Sequence, residues 1–89
     1  MNLDELRNSI DEVDRDILVA LSRRRDIVRK IGEVKKKMNL KLKDTARWQE
    51  VLVSRKLLAK ELDIPEAVAI SIWDTLHEWA LEVEAGKDD

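Results

Sequence analysis

The chain has 89 residues, of which 17 are Lys or Arg and 19 are Asp or Glu, with two Gly, one Pro and no Cys. That length suits one small domain, residues 1–89, and the missing cysteines exclude a disulfide framework as well as thiolate-based metal or covalent chemistry. Its longest apolar run, Ile17 to Leu21, is far short of the roughly 20 residues of a membrane span, so the expectation is a soluble, cytoplasmic protein with no membrane partner, built from long helices.

Steps of three and four from Leu6 run through Ile10, Val13, Ile17, Ala20, Arg24, Ile27, Ile31, Val34 and Met38, a seam of helical period. The spacing predicts one helix over residues 3–38, starting near Asn2 or Asp4, weakened only by Gly32 and ending near Asn39. Such a helix is about 54 Å long. A compact chain of this size has a radius of gyration of about 12 Å, so the helix outruns its own domain. Its seam then needs a partner helix, most simply from a second copy in a twofold dimer.

Residues 39–43 form a short link to Asp44, the expected cap of a second helix over about Thr45 to Glu61 with an apolar stripe of Trp48, Val51, Leu52, Leu58 and Leu62. Asp63 is the expected cap of a third helix, with Pro65 in its first turn, where a missing amide hydrogen is harmless. That helix buries Val68, Ile72, Leu76, Trp79 and Val83 and frays at Gly86. The fold class is therefore all-α: a three-helix protomer with one very long N-terminal helix, intertwined as a homodimer.

A near-zero net charge of −2 conceals two opposed blocks. Residues 22–43 carry ten Lys/Arg and two Asp/Glu, whereas residues 61–89 carry one Lys and nine Asp/Glu. A basic block of this kind fits a nucleic-acid patch, an anion pocket or a solvated face paired with the acidic block. Neither Arg23-Arg24-Arg25 nor Lys35-Lys36-Lys37 has an aromatic stacking platform beside it, which argues against nucleic acid. The single histidine, His77, excludes a histidine-based metal site or triad and reads as a polar position on the third helix.

Arg24 interrupts the apolar seam, where an unpaired guanidinium is costly, so it needs an anion. Lys35 lies eleven residues on, which returns to within about 20° of the same helix face some 16 Å along the axis. Buried Asp or Glu from another helix would satisfy the two cations, and so would a small ligand with separated anionic groups.

The stretch Leu21-Ser22-Arg23-Arg24-Arg25 followed by Ile31-Gly32-Glu33-Val34-Lys35 resembles the Leu-x-x-Arg-Arg and Ile-Gly-x-x-Lys signature of the all-helical chorismate mutase family. Leu6-Arg7, Ile10 and Val13-Asp14 are similar to its opening turns. Asp44-Thr45-Ala46-Arg47 resembles its Asp-x-x-Arg, and Leu62-Asp63-Ile64-Pro65 its approach to the third helix. The resemblance covers nearly the whole chain. It implies an intertwined homodimer with shared active sites that converts chorismate to prephenate, on the way to phenylalanine and tyrosine, without a cofactor. By the same resemblance Arg24 holds one carboxylate of the dianionic substrate, and Arg7 reaches across from the other subunit to hold the second. Lys35 donates to the ether oxygen, while Asp44 and Arg47 line the pocket.

Three positions depart from the family pattern. Trp48 stands where a Glu commonly contacts the ring hydroxyl, and Ala80 stands where a small hydroxyl residue is frequent. Glu84 occupies a position held by Gln or Glu. An ionised carboxylate there repels the charge developing on the ether oxygen, whereas a protonated one donates to it. The resulting expectation is activity that falls above neutral pH. Trp48 and Ala80 keep two alternatives open: a mutase or lyase acting on isochorismate or an amino analogue of chorismate, and a non-catalytic helical dimerisation or regulatory module.

Overall fold

The computed structural model describes residues 1–87. Asp88 and Asp89, the end of the acidic block, lie outside the described residues. Three helices follow one another: α1 (Leu3–Lys37), α2 (Thr45–Glu61) and α3 (Glu66–Glu84). Asn2 caps α1, accepting from the Glu5 amide at 2.9 Å, and Asp44 caps α2, accepting from the Arg47 amide at 3.0 Å. Each supplies an oxygen to one of the four amides that a helix start leaves unpaired.

All three helices end in the same way. Leu40, Ile64 and Lys87 donate their amides to the carbonyls of Lys35, Ala59 and Glu82, and the residue before each turns left-handed: Asn39 (φ 54°), Asp63 (φ 56°) and Gly86 (φ 77°). This is the Schellman closure, which favours Gly and tolerates Asn or Asp. Asp63 therefore does not cap α3, as the sequence suggested. It terminates α2, and the cap position of α3 is Pro65, with no side-chain hydrogen bond.

α3 lies between the other two helices and packs against both. It meets α2 in an antiparallel hairpin, in which Trp48 stacks on His77, Arg55 lies over Trp73 and Lys56 reaches Glu66. On its other side it runs alongside the C-terminal half of α1, most closely at Gly32, where an added Cβ would fall 2.7 Å from the Glu84 carbonyl oxygen. Only the missing side chain permits that approach.

The buried apolar set is small: Val28, Val51, Ala59, Ala69, Leu76 and Val83. Of the expected stripes, Val51, Leu76 and Val83 are buried, but Leu58, Leu62, Val68 and Ile72 are exposed. The covered strip of α1 is Val28 and Gly32, adjacent to the predicted seam. The seam's Leu6, Ile10, Val13, Ile17, Ile27, Ile31, Val34 and Met38 are all exposed, as is every residue from 1 to 20. The protomer measures 55 × 28 × 15 Å with a radius of gyration of 16.0 Å, against about 12 Å for a compact chain of this length. α1 projects past the rest of the molecule. No helix among the described residues is long and apolar enough to cross a membrane.

Candidate active site

Because α3 separates α1 from α2, a trough opens between them with α3 as its floor. It encloses a cavity of about 350 Å³, the lower end of the range for small-ligand sites. Arg24 and Lys35 enter from α1, Asp44, Arg47 and Trp48 from the start of α2, and Ala80 and Glu84 from α3. Seven of the eight expected site residues thus share one pocket, although they come from three helices. Arg7 is the exception. It is exposed on the projecting half of α1, 17 residues from Arg24 and so about 25 Å along the helix.

Lys35 and Glu84 form an ion pair within the pocket. The Lys35 Nζ lies 2.7 Å from Glu84 Oε1 and donates to the Leu42 carbonyl at 2.6 Å. The two side chains are 17% and 8% exposed, which shields their attraction from solvent. Two protein oxygens fix the ammonium and leave one of its three donors for a third acceptor.

Arg24, half-buried, makes no hydrogen bond or ion pair among the described residues. Burial, and then the positive charge of Arg55, hold its pKa below the usual guanidinium value. Each cause disfavours the charged form, which an anion in the pocket would restore. Arg47 lines the rim and faces Glu50 at 3.4 Å. Asp44 both lines the pocket and caps α2, so its two expected roles coincide.

Trp48 lies flat on His77, with ring centroids 4.0 Å apart and planes 10° from parallel. Its indole offers a single N–H donor and no acceptor, so Trp48 cannot accept a hydrogen bond from a hydroxyl in the pocket. His77, read from the sequence as a plain polar position, is part of the wall. Arg55 was not singled out either. Helical spacing held both: Arg55 is seven residues after Trp48, and His77 seven before Glu84, two turns along the same faces.

The profile of the family described as chorismate mutase type II matches residues 6–85. The chain belongs to the type II chorismate mutase family. Among its relatives is the chorismate mutase of Methanocaldococcus jannaschii, 29% identical over 76 residues, covering 85% of this chain and 77% of the archaeal protein. The bifunctional chorismate mutase/prephenate dehydratase of Aquifex aeolicus is 32% identical over 85 residues, 92% of this chain and 24% of that protein. The T-protein of Enterobacter agglomerans is 36% identical over 63 residues, covering 71% of the chain and 17% of the relative. The chain thus spans about three quarters of the archaeal relative and a quarter or less of the two bacterial ones. No solved structure matches it significantly. As in other members of the chorismate mutase family, the chain is all-helical, and the cationic pocket lies within the matched span.

Proposed function

We propose that this chorismate mutase family member is an isomerase that rearranges chorismate to prephenate, in the route to phenylalanine and tyrosine. The observation that carries the reading is the convergence of Arg24, Lys35 and Glu84 on one cavity. The rearrangement is unimolecular, so the residues have two tasks: to hold the dianion in its folded conformer and to meet the charge developing on the ether oxygen. Arg24 binds a carboxylate. Lys35, oriented by Glu84 and the Leu42 carbonyl, directs its remaining donor at the ether oxygen. Asp44 and Arg47 border the ring, with Trp48 and Ala80 shaping the wall.

A homodimer completes the proposal. The exposed apolar seam of α1 and the small buried core support a second copy packed along that helix. In such a dimer Arg7 of the partner subunit holds the second carboxylate, giving shared sites. A cytoplasmic location belongs to the same proposal and rests on the family reading.

Trp48, stacked on His77, offers no acceptor for the ring hydroxyl, which keeps one alternative open, a substrate whose ring substituent differs in place or kind, such as isochorismate or the amino analogue. Incubating the purified protein with chorismate, following its loss and identifying the product, tests both. Prephenate supports the mutase. Untouched chorismate with turnover of either analogue replaces it, and inertness toward all three leaves a non-catalytic helical module.

A further inference from the structure

The cations of the trough are unevenly neutralised. Lys35 has Glu84 at 2.7 Å and Arg47 has Glu50 at 3.4 Å, but neither Arg24 nor Arg55 has a carboxylate partner among the described residues. Both are half-buried and line the same cavity. Arg55 is held by its surroundings: its guanidinium sits 5.9 Å over the Trp73 ring and donates to the Ser54 hydroxyl at 3.1 Å. Neither contact offers a negative charge. The Arg55 charge is felt at Arg24, where it adds to burial in lowering the pKa.

Position along the helices puts the two arginines at the same end. Arg24 precedes Lys35 by eleven residues on α1, and Trp73, beneath Arg55, precedes Glu84 by eleven on α3. With Lys35 on Glu84 and α1 running alongside α3, Arg24 and Arg55 share the end about 16 Å from that ion pair. Two like charges in a partly desolvated trough repel each other, and a single anion between them relieves both repulsion and desolvation. A carboxylate has about four acceptor sites and one guanidinium fills two of them, so a second guanidinium can be accommodated.

We infer that Arg55 is a further substrate-binding residue, which closes with Arg24 on one carboxylate of the substrate at the end of the pocket opposite Lys35. The inference takes the dianion's identity from the proposed mutase activity, while the anion site itself stands on the two arginines. Arg55→Met tests it, because the stem over Trp73 is kept and only the charge is lost. KM for chorismate should rise by about tenfold or more, the usual scale for a charge-assisted hydrogen bond, with kcat changed far less. Arg55→Lys, which keeps the charge, should recover part of the loss.

Calorimetry with an unreactive bicyclic dicarboxylate shaped like the rearranging substrate separates this role from a structural one. The variant should bind the diacid and one of its two monomethyl esters about tenfold more weakly, and the ester lacking the clamped carboxylate as wild type does. Equal weakening of all three compounds, or unchanged diacid binding by a folded Arg55→Met, would overturn the inference. Wild-type protein that binds the diacid in an Arg55-dependent way but leaves chorismate untouched would overturn the mutase reading alone. Normal turnover with an unaltered Arg55→Met would do the reverse.

Discussion

Gly32→Ala is a small substitution at the point where α1 and α3 come closest. The new Cβ would lie 2.7 Å from the Glu84 carbonyl oxygen and 2.8 Å from its Cα, both backbone atoms that cannot rotate away. An ordinary carbon–oxygen contact is about 3.3–3.6 Å, so α3 must retreat by roughly 0.6–0.9 Å. Overpacking of this kind costs about 1–3 kcal/mol, and the gain in helix propensity from Gly to Ala offsets about 1 kcal/mol of it. The net loss of stability should be at most about 2 kcal/mol, leaving the variant folded. Activity should suffer more, because the backbone that moves carries Glu84, which orients Lys35 at 2.7 Å. A displacement near 1 Å at reacting groups can cost about a hundredfold, so kcat/KM should fall by about ten- to a hundredfold. Urea unfolding beside steady-state turnover reads both quantities. A Gly32→Ala protein about 1 kcal/mol more stable than wild type and fully active would mean that propensity alone acts there, refuting the close approach.

Three other outcomes follow from the pocket. Arg24→Ala and Lys35→Ala should each lower kcat/KM by about a hundredfold or more, about 2.7 kcal/mol of transition-state stabilisation, while circular dichroism stays unchanged; near-normal turnover in either would mean the site is elsewhere. Mixing Arg7→Ala with Arg24→Ala subunits should restore about a quarter of wild-type activity, because half of the dimers are mixed and each keeps one intact shared site; no recovery after subunit exchange would exclude sharing. Glu84→Gln keeps an oxygen that can accept from Lys35 and adds an amide donor in place of the carboxylate charge, so kcat/KM should be maintained or raised. A folded but inactive Glu84→Gln would contradict that role for Glu84.

Local signals were legible because they act within a few residues. Asn2 and Asp44 each supply the oxygen that a helix start lacks, and the seam's period marks α1 whether or not anything covers it. Arg24 and Lys35 were conspicuous as cations on an apolar stripe, and the motif resemblance added Asp44, Arg47, Trp48, Ala80 and Glu84. The left-handed turn at Asp63 escaped, because an acidic residue between two helices suits the end of one as well as the start of the next.

The sequence by itself determined three helices, their approximate ends and the chemical character of a cationic site, since these depend on propensity, capping and periodicity. Tertiary structure decided which faces meet. Packing α3 between α1 and α2 buried Val28 and Gly32 and left the more regular seam uncovered. It also brought Arg55 into the same cavity as Arg24 and laid His77 on Trp48. Those neighbours are far apart along the chain, and helical period places a side chain on a face without saying what that face will meet.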